Sequence, residues 1–252
     1  MNYQTNKKKI AHAFNRAVKS YDYNSKLQIL SGNILLSKTN MPIQALILDA
    51  GCGTGWFSKK FINHGHTVIA LDISEKMLKK AQKYNMATDY IQGDIENIPL
   101  LNNIVDICWS NLSLQWCCSL STAISELFRV TKSGGIIMFS ILVDGSLLEM
   151  IDAWKKVDDN HHVNNFITIK EVLLSCQSYN LILLDTEWIT LNFSNVLEAM
   201  LSLKKIGATY LNNGKINKVV TRNQINQLNK YWTSNSLGYL LSYKLCFGVI
   251  QV

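Results

Sequence analysis

Short apolar runs alternate with amphipathic segments through the first 141 residues of the chain. The segments between the runs place their apolar residues near helical spacing, whereas the runs themselves are short enough to be buried strands. Strand, helix and strand in regular alternation predict a parallel sheet with helices on both faces. The predicted strands are ALILDA (45–50), TVIALD (67–72), DYIQGD (89–94), VDICWSN (105–111) and GIIMFSI (135–141).

After Ile141 the alternation becomes irregular. A helix is predicted over 146–157, a capping box at Thr168–Glu171 begins another, and 181–193 reads as a strand. A helix that Gly207 ends, a second helix entered through Thr221 and a final strand over 241–252 follow. We expect one domain over 1–252, with a seven-stranded, mostly parallel sheet and an antiparallel last strand. Within it we expect a ligand-binding core over 45–141 and two helical covers above the carboxyl edge, over 7–30 and 195–235.

Composition and charge exclude several classes of protein. Hydrophobic residues make up 48% and charged residues 17%, which is a globular composition, and no run approaches the ~18 apolar residues that span a bilayer. The N-terminus does not resemble a secretion signal, and the six cysteines show no Cys-x-x-Cys spacing, so we expect reduced thiols and a cytoplasmic monomer. The net charge of +7 suits an acidic partner or anionic substrate, and without a nucleic-acid-binding signature we expect neither nucleic acid nor membrane as a partner.

A metal site is not expected. His161 and His162 follow Asp158 and Asp159 closely, but side chains that are adjacent in sequence rarely converge on one ion. A polar surface loop is the favoured interpretation of this stretch.

The first strand leads into a glycine-rich loop, Gly51-Cys52-Gly53-Thr54-Gly55. Dinucleotide-binding loops have a third glycine where this chain has Trp56, and no Gly-Lys-Ser/Thr follows as a P-loop requires. Asp49 precedes the loop, and its carboxylate would repel a pyrophosphate but attract an ammonium. S-adenosylmethionine, which has a sulfonium, an amino-acid end and no phosphate, fits these requirements.

Two further acids end the next two strands. Asp72 lies about twenty positions after the first glycine, where an acid can accept both hydroxyls of a ribose. Asp94 could accept from the adenine amino group, with Ile95 against the ring. Each of these acids alone could be a helix N-cap. Three acids at the ends of successive strands, together with a glycine loop, predict a nucleoside-binding site.

This set resembles the class I S-adenosylmethionine-dependent methyltransferases, on LDAGCGTG, Asp72, GDIENIPL and VTKSGGIIMF within residues 45–141. The resemblance implies a Rossmann-like fold and S-adenosylmethionine as cofactor, with S-adenosylhomocysteine as product and no metal. The cofactor-binding residues that we expect are Tyr21, Asp49, Gly51, Cys52, Gly53, Gly55, Asp72, Ile73, Met77, Asp94, Ile95, Asn111 and Leu112.

Motifs outside the core are similar to a narrower family, the malonyl-carrier-protein O-methyltransferases of biotin synthesis (the BioC family). That resemblance implies transfer of a methyl group to the free carboxylate of a malonyl thioester on acyl-carrier protein or coenzyme A, which masks its charge from the enzymes that elongate the chain. The sequence departs from the family at Asn15, where a glycine is expected. The matching motifs are KKKIAHAFNRAVKSYDYNSKLQ (7–28), SNLSLQWC (110–117), AISELFRV (123–130), LVDGSLLEMIDAWKKVD (142–158), SLKKIGATYL (202–211) and SYKLCFGVI (242–250).

The chemistry requires positioning rather than a general base, because a carboxylate with a pKa of about 4 is already ionised at neutral pH. We expect an apolar pocket from Phe14, Tyr21, Leu112, Leu114 and Trp116, although Tyr21 and Trp116 could equally be plain core. The residues expected to position the substrate are Phe14, Arg16, Gln115, Trp116 and Lys204, and polar contacts are expected from Asn111 and Gln115.

Arg16 and Lys204 are the candidates for orienting the malonyl group, although Lys204 could be a solvated helix face. The family's carrier proteins are acidic, and basic residues of the two covers could steer one in. These residues are Lys7, Lys8, Lys9, Lys204, Lys205, Lys215, Lys218 and Arg222.

Two other functions remain open on the sequence. A related small-molecule methyltransferase, acting on a quinone precursor or a free carboxylic acid such as aconitate, would share the same core. A non-catalytic protein- or nucleic-acid-binding module is the third, but the intact Asp49, glycine loop and Asp72 argue against a decayed pocket.

Overall fold

The computed structural model describes residues 3–208 and 220–252, with side chains from residue 7 onward. Its central feature is a parallel sheet whose strands follow the order β3-β2-β1-β4-β5. These strands are β1 (Leu46–Ala50), β2 (Thr67–Asp72), β3 (Asp89–Gln92), β4 (Val105–Asn111) and β5 (Thr131–Leu142). The strand order reverses next to β1, and in such sheets ligands bind at that point, beyond the carboxyl ends.

Two long antiparallel pairings complete the sheet. β8 (Gly238–Gln251) pairs antiparallel with β5 on one side and with β6 (Asn180–Phe193) on the other. This confirms the predicted Rossmann-like sheet with an antiparallel last strand. A two-residue strand, β7 (Ser234–Asn235), also pairs with β8 and brings the sheet to eight strands among the residues that the structure describes.

Buried side chains alternate between the two faces of the sheet, as the period of a strand requires. Ile47 and Trp109 belong to one apolar cluster, whereas their sequence neighbours Leu48 and Cys108 belong to another. Helices cover both clusters, as expected for a parallel sheet. The crossover helices are α4 (Trp56–Asn63), α5 (Glu75–Lys83) and α6 (Leu120–Val130).

The remaining helices occupy the N-terminal and C-terminal parts of the chain. The predicted capping box is present at Thr168, the N-cap of α8, and Thr221, through which a helix was predicted to begin, forms a second capping box as the N-cap of α10. Residues 209–219 of the predicted second cover, with Lys215 and Lys218, lie outside the described residues. These helices are α1 (Tyr3–Ala17), α2 (Tyr21–Asn24), α3 (Lys26–Ser37), α7 (Leu148–Lys155), α8 (Ile169–Cys176), α9 (Val196–Lys205) and α10 (Arg222–Tyr231).

Asn15, which replaces the expected glycine, lies inside α1. Its side-chain oxygen accepts hydrogen bonds from the Ser74 hydroxyl at 2.8 Å and from the Lys76 amide at 3.0 Å, at the start of α5. The helical backbone at this position does not require glycine, and Asn15 instead ties α1 to α5.

None of the described helices is both long and apolar enough to cross a bilayer.

Candidate functional site

The glycine loop follows β1 directly and brings backbone close to the next strand ends. Gly51 has a φ of +84°, and a Cβ there would lie 2.1 Å from the Ser113 hydroxyl, so a larger residue would be both strained and obstructed. Gly55, also at +84°, is the N-cap of α4, and a Cβ there would lie 2.5 Å from the Cβ of Met86. At both positions only glycine fits the left-handed backbone and the neighbouring side chains.

Asp72, at the end of β2, holds the loop in place. Its carboxylate accepts hydrogen bonds from the Gly53 amide at 2.8 Å and the Ser74 amide at 2.7 Å. Burial raises its pKa to about 6 despite these bonds. Its carboxylate thus organises the loop and borders the space where a ribose was predicted.

Asp49, on β1, is buried and accepts a hydrogen bond from the Ser58 hydroxyl at 2.5 Å. Burial raises its pKa to about 7; the Ser58 hydrogen bond lowers it, and the charge of Asp72 adds to the increase. A cation bound nearby would restore the ionised form of this carboxyl group.

A cavity of about 660 Å³, which we call the inner cavity, lies beyond these strand ends. Most of the predicted cofactor-binding residues line it, whereas Asp49 and Cys52 line an adjoining side pocket of about 420 Å³ and Gly55 lines neither. The indole Nε1 of Trp109, which also lines the side pocket, is buried without a hydrogen-bond partner among the described residues. The predicted residues around the inner cavity are Tyr21, Gly51, Gly53, Asp72, Ile73, Met77, Asp94, Ile95, Asn111 and Leu112.

These features fit S-adenosylmethionine. Gly51, Gly53 and Asp72 line the inner cavity, Asp49 can meet an ammonium in the side pocket, and the unpartnered Trp109 donor is available to a ligand acceptor there. Cys52 is partly buried, and removal from solvent raises the pKa of its thiol well above the usual range, so the thiol stays neutral.

Asp94 has a partner that the sequence did not predict. Both of its carboxylate oxygens lie 2.5 Å from the Nζ atom of Lys7, which comes from α1 and also pairs with Glu96. Burial alone would lower the pKa of Lys7, but the hydrogen bonds to Asp94 and Glu96 raise it. Lys7 was expected only among the basic residues of the cover, yet it lines the inner cavity and joins α1 to the loop after β3.

A larger cavity of about 2190 Å³, the outer cavity, adjoins the inner one. The two share a wall that we call the junction. Trp116 packs edge-on against Phe14 in this wall, with ring centroids 5.5 Å apart, and Leu112 adopts a left-handed φ of +53°. The junction consists of Ile10, Phe14, Tyr21, Leu112, Trp116 and Cys117.

The junction is mostly apolar, and its two titratable groups stay neutral. Tyr21 is partly buried, and removal from solvent together with the charges of Asp72 and Asp22 raises its pKa above the usual range. Burial likewise raises the pKa of the Cys117 thiol. Neither side chain is therefore a base at neutral pH.

The two predicted polar contacts differ in what they offer a ligand. Gln115 donates from Nε2 to the Leu112 carbonyl at 2.7 Å, which leaves its Oε1 buried without a partner in the described structure. Asn111 is already engaged: its Oδ1 accepts from the hydroxyls of Ser31 at 2.9 Å and Ser140 at 2.8 Å. Gln115 is thus available to a substrate in the outer cavity, whereas Asn111 mainly fixes α3 on the sheet.

The structure does not bring Arg16 and Lys204 into either cavity. Both side chains are exposed, at the ends of α1 and α9. These two ends are neighbours, because the Ser20 hydroxyl donates to the Lys205 carbonyl at 2.8 Å and Gly207 packs against Phe14. Arg16 and Lys204 therefore belong to a basic surface beside the cavities.

His162 was assigned to a polar surface loop, and for this residue the prediction was wrong. Its side chain is 10% exposed, lines the outer cavity and pairs with Asp158 at 2.8 Å, whereas His161 is exposed. The i, i+4 spacing of Asp158 and His162 was the only sequence signal for this contact. Across the described residues no group of three metal-ligating side chains converges.

A family model described as "Methyltransferase domain" matches residues 48–139. Two curated relatives named malonyl-[acyl-carrier protein] O-methyltransferase align over nearly the whole chain. The one from Buchnera aphidicola subsp. Baizongia pistaciae is 49% identical, with 98% of this chain and 99% of the relative covered. The one from Erwinia pyrifoliae is 44% identical, with 98% and 94% covered.

Solved structures match the fold. The YcgJ protein of Bacillus subtilis superposes with a TM-score of 0.60 at 16% identity, covering 88% of this chain and 98% of that protein. The [4+2]-cyclase SpnF superposes with a TM-score of 0.55 at 14% identity, covering 89% of this chain and 80% of SpnF. At such identities the likeness concerns the fold alone.

Proposed function

We propose that this chain, which belongs to the malonyl-[acyl-carrier protein] O-methyltransferase family of S-adenosylmethionine-dependent methyltransferases, methylates the free carboxylate of malonyl-acyl-carrier protein. The products are the malonyl methyl ester and S-adenosylhomocysteine, and the step belongs early in biotin synthesis. Full-length similarity to relatives of that name supports the substrate. The observation that carries the mechanism is the mostly apolar junction between two cavities.

The inner cavity and side pocket would hold the cofactor. Asp72 borders the ribose position, Asp49 faces the amino-acid end, and the Gly51 backbone leaves room for close approach. When bound, S-adenosylmethionine supplies an electrophilic methyl group on a cationic sulfur. A carboxylate oxygen forms the new bond to that methyl carbon, and the electron pair of the broken carbon–sulfur bond remains on sulfur.

The junction would align the carboxylate and exclude water. Phe14, Leu112 and Trp116 present apolar surface there, and no proton has to be removed from a malonyl carboxylate at neutral pH. An anion and a cation neutralise each other on the way to the transition state. An apolar wall therefore opposes the reaction less than water would, because water stabilises the separated charges more than the transition state.

The exposed cations beside the outer cavity would meet the carrier protein. Arg16 lies in the last turn of α1, Lys19 follows that helix, and Lys204 and Lys205 end α9; we call these four residues the basic rim. Acyl carriers are acidic, so opposite charges would speed and orient docking. In this proposal Arg16 and Lys204 hold the carrier rather than the malonyl group.

The test is intact-mass spectrometry of malonyl-carrier protein incubated with the enzyme and S-adenosylmethionine, with acetyl-carrier protein as the control. We expect one methyl group on the malonyl carrier and none on the acetyl carrier. Methylation of both carriers, or of neither while S-adenosylhomocysteine still binds, would contradict this substrate. Free carboxylic acids such as aconitate would then be the next substrates to assay.

A further inference from the structure

His162 is held rigidly in the wall of the outer cavity. Its ring lies on the indole of Trp154 with centroids 3.4 Å apart and planes 9° from parallel. Its Nε2 lies 2.8 Å from the Asp158 carboxylate. With 10% of its side chain exposed, one ring face on Trp154 and Nε2 paired with Asp158, His162 has one remaining polar position, Nδ1.

The environment of Asp158 determines which ring nitrogen carries the proton. Burial raises the pKa of Asp158, but hydrogen bonds from His162 and the Asn160 amide, at 2.9 Å, outweigh it and keep the carboxyl group ionised. Gln224 of α10 also donates to this carboxylate at 3.4 Å. Because a carboxylate repels a nitrogen lone pair, the neutral imidazole of His162 carries its proton on Nε2 and presents Nδ1 as an acceptor. Within the described chain Nδ1 has no hydrogen-bond partner.

The location of His162 separates it from the reacting atoms. It lines the outer cavity but not the junction, where the cofactor and substrate spaces meet. Among the described residues that line the outer cavity there is no lysine or arginine. Two other polar groups in the same wall, Oε1 of Gln28 and Oε1 of Gln115, are buried without partners. These acceptors call for N–H donors, which a carboxylate does not have and an amide does.

We propose, on the premise of the proposed function, that His162 binds an amide of the pantetheine arm that carries the malonyl thioester, through Nδ1. An amide can donate to the ring nitrogen, and a second amide of the arm can donate to Gln28 or Gln115. The malonyl carboxylate then extends past them to the junction. His162 is thus a residue that binds the shared arm and sets how far the acyl group reaches, without contacting the carboxylate.

The test compares three variants with malonyl-pantetheine and S-adenosylmethionine as substrates. His162→Phe keeps an aromatic ring over Trp154 but removes the polar atom, His162→Gln restores a hydrogen-bonding group, and His161→Phe is the exposed control. Loss of one hydrogen bond between neutral groups weakens binding by roughly fivefold to tenfold. We expect His162→Phe to raise KM by about that factor with little change in kcat, because a bond kept in both ground and transition states affects binding alone. His162→Gln should recover most of the loss, and His161→Phe should match the wild type.

A second measurement distinguishes arm from carboxylate. Acetyl-pantetheine has the arm but no carboxylate and should inhibit the enzyme. Its inhibition constant should rise in His162→Phe by the same factor as the KM for malonyl-pantetheine. Unchanged inhibition by acetyl-pantetheine, or a His162→Phe KM within twofold of the wild type, would overturn this inference alone. Equal binding of S-adenosylhomocysteine by all variants verifies their folding. A wild type that methylates no malonyl thioester would instead refute the proposed function.

Discussion

The ion pairs of Lys7 predict how fast the product leaves. Lys7 joins α1 to Asp94 and Glu96 with side chains 17%, 32% and 11% exposed, and α1 forms one wall of the inner cavity. We expect the product to leave past this wall, and its release would then require these contacts to break. Hydrogen bonds to charged groups are worth about 1.5–3 kcal/mol, and partial solvation of Asp94 favours the lower value. Replacing Lys7 by methionine should therefore accelerate release about tenfold, since 1.4 kcal/mol is a factor of ten.

Stopped-flow displacement of S-adenosylhomocysteine measures this rate directly. Lys7→Met should raise the dissociation rate about tenfold, and the association rate should rise as well, because the ligand enters past the same contacts. Lys8→Met, which removes an exposed lysine one residue away on α1, should behave as the wild type. Equal dissociation rates for Lys7→Met and Lys8→Met would refute the assignment of α1 as a wall that must open.

Two more predictions follow from charge. The pKa values of Asp49 and Asp72 are raised to about 7 and about 6. In the unfolded chain both aspartates lose their protons above a pKa of about 4, so between these pH values the folded protein holds more protons than the unfolded chain. The melting temperature of the unliganded protein should therefore fall as pH rises from about 4 to 7. Over the same range the stabilisation by S-adenosylhomocysteine should grow, because its ammonium favours ionised Asp49. A melting temperature that stays constant across this range would contradict the raised pKa values. The paired change Arg16→Glu and Lys204→Glu should raise KM for malonyl-carrier protein about tenfold or more at low salt but leave KM for malonyl-pantetheine unchanged. Equal effects on both substrates in steady-state assays would place these residues in the substrate cavity instead of the basic rim.

Most of the predicted cofactor-binding residues line one cavity, because the sequence signals that select them are local. Asp49, Gly51 and Asp72 lie at strand ends, and parallel strands bring such ends to one edge whatever the details of packing. The fold follows from the same alternation of apolar runs and amphipathic segments. Gly55 was grouped with the ligand-binding glycines, but its structural role as an N-cap against Met86 depends on a contact that the sequence does not display.

The substrate side was harder because it depends on contacts between distant segments. Arg16 and Lys204 were chosen for their charge, but helix orientation places both on the surface. The burial of His162 arises from its stacking on Trp154 of α7, and composition alone made that stretch resemble a surface loop. Lys7 shows the same limit, since its partner Asp94 lies 87 positions away.

The central claim is that the methyl group goes to the carboxylate oxygen of the malonyl group. A gain in mass shows one methyl group but does not distinguish the oxygen from the methylene carbon between the two carbonyl groups. Carbon NMR of the product, made with ¹³C-methyl S-adenosylmethionine and carrier-bound malonyl labelled with ¹³C at both the carboxylate and the methylene carbon, decides this directly. We predict a methyl ester resonance coupled through oxygen to the labelled carboxyl carbon. A methyl resonance coupled instead to the methylene carbon would contradict the account.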